Sequence, residues 1–202
     1  MRILLATGNP GKLREYRRML SGLEGLQLES LQTLGCELDV DEDGNSFYVN
    51  ALKKARAAAK ASGLAAMADD SGLEVDALEG RPGVRSARYA GEGASDAQNN
   101  EKLLAALAGL GPDERTARFR CAIVVVAADG EELLHTEGTC EGRIAEAASG
   151  SGGFGYDPVF LPQGRRVTMA ELSPEQKNQI SHRAEAVAAL LEPLRHLLAQ
   201  SS

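Results

Sequence analysis

The chain has 202 residues, 43% of them hydrophobic and 25% charged, with a net charge of -7 at neutral pH. This composition supplies a buried core and excludes a disordered or low-complexity chain, and its acidic balance excludes broad binding to a nucleic-acid backbone, which needs a basic face. Cys36, Cys121 and Cys140 are odd in number and widely spaced, which fits neither a disulfide framework nor a structural zinc site and favours a reducing compartment. The opening apolar run, residues 3–6, is too short for a signal-peptide core, and no stretch reaches bilayer length. A soluble cytoplasmic protein without a membrane or nucleic-acid partner is expected.

Residues 2–6 predict a buried strand. The turn-rich Thr7-Gly8-Asn9-Pro10-Gly11-Lys12 follows, then an amphipathic helix with Leu13, Tyr16, Met19 and Leu20 on one face. Glycines let the backbone approach a ligand, the helix N-terminus is partly positive and Lys12 adds a full charge, so the unit suits a phosphate group. It lacks the Walker A pattern, and an ordinary βα turn has the same local sequence. A second strand is expected over residues 26–31. Glu37, Asp39, Asp41, Glu42 and Asp43 then form an acidic stretch that is either a solvated loop or the source of a carboxylate for a cation. Ser46 is placed to cap a helix running to Ser62, with Leu52, Ala55 and Ala59 facing inward and Gly63 as its stop. Its Lys53, Lys54, Arg56 and Lys60 read as a solvated face, although Asn50 or a lysine of the first turns can point toward a cleft.

Residues 64–68 form a short apolar run that ends at Asp69-Asp70-Ser71-Gly72. Two acids at the carboxyl edge of a strand occupy the place where open α/β sheets keep ligands. Their mutual repulsion can be relieved by a divalent cation, while an Asx-type turn is the simpler alternative. Residues 73–78 alternate as a half-exposed strand, and residues 79–91 form an irregular loop made basic by Arg81, Arg85 and Arg88, fit to clamp phosphates or to solvate a turn. Ser95 or Asp96 starts a structural helix through Asn99, Leu103, Leu104 and Leu107, which Gly109 and Gly111 end. Residues 116–128 are the strongest strand signal. Asp129-Gly130 turns that strand into residues 131–137, and a further strand is expected over residues 138–145, so the sheet is mixed.

In Ser149-Gly150-Ser151-Gly152-Gly153-Phe154-Gly155-Tyr156-Asp157-Pro158, the glycines flanking Phe154 let its ring stand clear and stack on a flat ligand; the alternative is a flexible loop with Phe154 in the core. Ser173-Pro174-Glu175-Gln176 is a capping box followed by Lys177, and Ser181-His182-Arg183 heads a long helix with Val187, Leu190, Leu191, Leu194 and Leu198 on its apolar face.

These motifs, in this order and nearly from end to end, resemble the inosine triphosphate pyrophosphatase family of non-canonical purine nucleotide (XTP/dITP) diphosphatases. The resemblance implies an α/β fold of two lobes around a long mixed β-sheet flanked by helices, one domain over residues 1–202 with the substrate cleft between its lobes. It implies a homodimer, a Mg²⁺ requirement, and hydrolysis of ITP, dITP or XTP to the monophosphate and pyrophosphate. By the same resemblance Thr7, Gly8, Asn9, Pro10, Gly11 and Lys12 bind the triphosphate, Asp70 is the general base and a metal ligand, and Ser71 touches substrate. Phe154, Gly155, Tyr156, Asp157, Lys177, His182 and Arg183 surround base and sugar. The family's Phe-x-Glu-Asn-Ala run reads Phe47-Tyr48-Val49-Asn50-Ala51 here, and Val49 cannot ligate metal. Glu42, in a run similar to the family's Glu-x-Gly-x-Thr-Phe, becomes the better second ligand with Asp41 only its neighbour, Asp69 is a further metal ligand, and Lys54 falls at the family's lysine. Maf-like nucleotide pyrophosphatases with another base preference, and a non-catalytic nucleotide-binding regulator, are the alternatives.

Overall fold

The computed structural model describes residues 1–200. Strand β1 (Arg2–Leu5) leads through the glycine loop into α1 (Pro10–Met19), and β2 (Gln27–Ser30) passes directly into a single helical turn, α2 (Leu31–Leu34). Helix α3 (Phe47–Ser62) precedes the long strand β3 (Ala65–Val75). Helix α4 (Asp96–Ala106) is followed by β4 (Thr116–Val126), β5 (Glu132–Ile144) and the short β6 (Phe160–Pro162). Helices α5 (Pro174–Ile180) and α6 (His182–Gln200) complete the described chain. The strands make one six-stranded sheet in the order β2-β1-β3-β4-β5-β6. Because β1 is parallel to β2 and β3 whereas β5 is antiparallel to β6, the sheet is mixed, as the Asp129-Gly130 turn implied.

The chain divides into two compact units. One holds Met1–Asp70, Cys121–Gly138 and the segment from Arg183 onward; the other holds Ser71–Arg120 and Thr139–His182. In the first unit the sheet is covered on both faces, which is why β4 reads as a continuous apolar run and not as an alternating one. Ile3, Leu5, Met67, Cys121, Ile123 and Val125 meet Tyr16 and Leu20 of α1 and Val187, Leu190 and Leu194 of α6. The neighbouring residues along the strands, Leu4, Ala6, Ala66, Ala68, Val124 and Val126, meet Ala51, Ala55, Ala58 and Ala59 of α3. Alanine is small enough to bring this helix close to the sheet, and all four are fully buried. Local signals fix the helix ends. The Ser46 hydroxyl accepts from the Val49 N–H, and Gly63 takes the left-handed conformation (φ 67°) that stops the helix.

Two sequence expectations change. Asp69-Asp70-Ser71-Gly72 lies inside β3 and is not the end of a strand, since the chain stays extended as far as Val75. Likewise the expected strands at 131–137 and 138–145 are one strand, with Gly138 carried in its interior. The second unit packs Leu73, Val75, Leu103, Leu107, Phe119, Ile144, Val159 and Phe160 into its own core. There the backbone of β6 approaches β5 so closely that a Cβ on Gly142 would run into the Leu161 carbonyl oxygen and the Phe160 ring. Gly142→Ala is therefore expected to lower stability by about 1–3 kcal/mol, as overpacking of a tight contact does, read as a lower urea midpoint at unchanged slope.

Candidate active site

Successive side chains of a strand point to opposite faces, so Asp69 and Asp70 turn away from each other despite being neighbours. Asp70 faces α3. Its Oδ1 accepts from Lys54 Nζ at 2.9 Å and its Oδ2 accepts from Asn50 Nδ2 at 3.1 Å. Asn50 and Lys54 are four residues apart and share one face of the helix. Lys54 also pairs with Glu42 at 3.3 Å, so one ammonium serves both carboxylates. The acidic loop is seated by Asn50, whose Oδ1 accepts from the Gly44 N–H at 2.8 Å, and a Cβ on Gly44 would collide with that oxygen. Burial pushes the Asp70 carboxyl above the ordinary aspartate value. Lys54 and Lys12 pull it back, and Glu42 adds to the rise.

Asp69 faces the opposite layer. It is 2% exposed, and its Oδ2 lies 2.8 Å from Lys12 Nζ and 3.6 Å from Arg183 Nε, with the Cys121 thiol at 4.0 Å. Arg183 is 1% exposed, also pairs with Glu15, and sits 6.0 Å from the Tyr16 ring centre. Burial would raise the Asp69 carboxyl, but Lys12, Arg183 and Lys54 outweigh it and hold the group ionised, well below the usual carboxylate range. The same burial and the Asp69 charge push the Cys121 thiol up to about 12, so it is no nucleophile. The glycine loop is shaped by its own side chains. Asn9 Oδ1 accepts from the Gly11 N–H at 2.7 Å and the Lys12 N–H at 3.2 Å, while Thr7 Oγ1 accepts from the Asn9 N–H at 3.1 Å. Thr7, Gly8, Asn9 and Pro10 line a cavity of about 740 Å³ together with Glu42 and Lys54, so the phosphate-type loop and the partners of Asp70 open onto one space.

In the second unit the aromatic loop is held just as closely. The Asp157 carboxylate accepts from the Phe154 N–H at 2.9 Å and from Lys177 Nζ at 2.5 Å. The Lys177 ammonium lies 4.6 Å from the centre of the Phe154 ring, a cation–π contact that fixes one face of the aromatic. Gly153 has φ 73°, and a Cβ there would strike the Asp157 carboxylate, so this position needs glycine. Tyr156 donates to the Ser86 carbonyl at 2.9 Å, and His182 stacks on Phe119 at 4.7 Å. Phe154 is not a core residue, being half-buried on a loop whose backbone N–H is tied to Asp157.

Glu42 and Asp70 supply hard oxygen donors beside the glycine loop, and among the described residues no group of three or more His, Cys, Asp or Glu converges on a point. Two carboxylates completed by water and phosphate oxygens match the way a small hard divalent cation is bound. Asp69, expected as a further ligand, is turned to the other face by the strand period and is occupied with Lys12 and Arg183. Arg183, expected beside the base, lies against Glu15 and Asp69 in the first unit. The expected site set omitted Asn50, Glu15, Tyr16 and Lys54, and Lys54, read from sequence as part of a solvated face, is instead turned in against Asp70 and Glu42. Asn50 carried a signal, a polar residue within an alanine-rich inner face, whereas Glu15 and Tyr16 gave none beyond helix periodicity.

Replacing Asp69 by Asn takes the counter-charge from Lys12 and leaves the buried Arg183 with Glu15 alone, and breaking a buried pair costs about 3–5 kcal/mol. Because the folded carboxyl is depressed, its stabilisation is complete above the unfolded value near pH ~4 and is lost as pH falls toward the folded one. The gap in unfolding free energy between the unmodified protein and Asp69→Asn should therefore be largest near neutrality and close progressively below about pH 4.

The sequence model of the Ham1 family matches residues 3–193. The dITP/XTP pyrophosphatase of Desulforamulus reducens is 50% identical over 98% of this chain and 97% of that protein. The dITP/XTP pyrophosphatase of Geobacillus kaustophilus is 52% identical over 94% and 92%. Among solved structures, a HAM1 protein from Coxiella burnetii superposes with a TM-score of 0.85 at 41% identity, over 99% of each chain. Similarity of this extent and coverage, carried by sequence and fold alike, makes the chain a member of the Ham1 family.

Proposed function

We propose that this chain hydrolyses non-canonical purine nucleoside triphosphates, ITP, dITP and XTP, to the monophosphate and pyrophosphate, clearing them from the nucleotide pool. The observation that carries the reading is the Asp70 carboxylate, held by Lys54 and Asn50 with Glu42 on the same ammonium, where Glu42 and Lys54 open onto the cavity of the Thr7–Lys12 loop. The full-length likeness to dITP/XTP pyrophosphatases supports it.

Asp70 is the general base. Burial makes its ionised form a stronger base than free aspartate, and it takes the proton of a water whose oxygen bonds to the α-phosphorus as the bond to pyrophosphate breaks. Lys12 and Lys54 balance the charge that develops on phosphate oxygens, from positions already fixed by Asp69 and Asp70. The cation is Mg²⁺; Asp70 and Glu42 would hold it, and it would neutralise phosphate oxygens. Val49 lends no carboxylate, so this role rests on those two acids. Asp69 orients Lys12, and Arg183, itself held by Glu15, in turn orients Asp69.

Ser71 contacts substrate beside Asp70, and Phe154, Gly155, Tyr156, Asp157, Lys177 and His182 receive the sugar and base. A purine with oxygen at carbon 6 accepts hydrogen bonds there, and Lys177, whose ammonium lies 4.6 Å from the centre of the Phe154 ring, is a donor beside the aromatic loop. Adenine presents an amino group and leaves buried donors unpaired, a penalty that gives discrimination of roughly 10⁴ or more. A homodimer in the cytoplasm completes the reading, with sedimentation as the test of assembly.

Pyrophosphate release with Mg²⁺ should be rapid from ITP and XTP and slower by orders of magnitude from ATP and dTTP. Asp70→Asn should lower ITP turnover by about 10²–10⁴, the contribution of a positioned base. Equal release from ATP and ITP overturns the base preference, and dTTP as the best substrate favours a Maf-like specificity. ITP binding without turnover in the unmodified protein makes it a nucleotide-binding regulator.

A further inference from the structure

Helix α4 reads from sequence as structural, yet three of its polar side chains hold loops. Asp96 and Asn100, four residues apart, lie on one face of the helix. The Gly155 N–H donates to Asp96 Oδ2 at 2.6 Å, and Asn100 Nδ2 donates to the Gly155 carbonyl at 3.0 Å. Both backbone polar groups of this one residue, in the left-handed conformation at φ 62°, are thus clamped from α4. Gly155 directly follows Phe154, whose own N–H is tied to Asp157 and whose ring is flanked by Lys177. Asn99 provides an internal contrast. Like Asn100 it is buried, but it holds a different turn, accepting from the Ala90 N–H at 2.7 Å and donating to the Ala87 carbonyl at 3.1 Å.

We propose that Asp96 and Asn100 are positioning residues for base recognition. By fixing Gly155 they hold the Phe154 ring in its stacking position before substrate arrives, so the cost of ordering the loop is not charged against binding. They set affinity for the purine, and neither the phosphate chain nor the chemical step depends on them. The inference rests on the reading that Phe154 meets the base.

The test compares the dissociation constants of ITP and of inorganic tripolyphosphate, with Mg²⁺, alongside kcat and KM for ITP, in the unmodified protein and in Asp96→Ala, Asp96→Asn, Asn100→Ala and Asn99→Ala. Asp96→Ala and Asn100→Ala should each weaken ITP binding and raise KM by about 5–10-fold, the scale of one hydrogen bond. In the same variants kcat and tripolyphosphate binding should hold. Asp96→Asn, which keeps an acceptor oxygen, should recover most of the loss, and Asn99→Ala should bind ITP normally. ITP affinity unchanged in folded Asp96→Ala, or ITP and tripolyphosphate weakened together, overturns the proposal. Should Asn100→Ala fail to fold, the exposed Asp96 variants decide alone. Absence of turnover in the unmodified protein counts against the proposed activity, while the binding comparison still tests the positioning role.

Discussion

Two carboxylates buried inside a central strand are the constraint on which the first unit depends. Ionised acids are tolerated in such a place only when cations and hydrogen-bond donors replace the water they have lost. Here the pleat sends the two charges to opposite faces, and each face supplies its own cation: Lys54 from α3 for Asp70, Lys12 from α1 for Asp69. The helices are therefore held to the sheet by alanine and leucine packing and also by matched charge at one level of β3. Glu42, Asn50, Glu15 and Arg183 are arranged around these two pairs.

This arrangement divides the labour between neighbours that look equivalent. Asp69 is surrounded by two cations and stays ionised, which suits a fixed anchor. Asp70 has one ammonium and one amide, stands near a second acid, and has its carboxyl pushed upward, which suits a group that exchanges a proton. Identical side chains thus acquire different chemistry from what the tertiary fold sets against them. The aromatic loop follows the same logic in the second unit, where Asp157, buried with Lys177, ties the Phe154 backbone and lets Gly153 pass at a distance no other residue allows.

Much of the architecture is legible locally. Ser46, Ser95 and Ser173 start their helices through bonds to backbone three residues on, and Gly63 ends one through its own torsion, so nearby residues suffice to place them. The continuity of β3 is not legible in this way. Asp69-Asp70-Ser71-Gly72 has the composition of a turn and remains a strand because Lys12, Lys54 and Arg183, far away in the chain, satisfy its charges. Arg183 shows the same limit: at the head of a helix it looks available to a ligand, and only packing of α6 against α1 commits it to Glu15.

The sequence alone determined the mixed α/β class, the helix caps, the glycine loop with its lysine, the aromatic loop, and, through the order of its motifs, the family. Each of these is written in residues close together or in a pattern of residue types. Only the tertiary structure decided that the paired acids lie back to back, that Lys54 joins Asp70 to Glu42, and that α4 holds the aromatic loop. Those are contacts between residues distant in the chain, and their charges and hydrogen bonds acquire partners only when the strands and helices pack.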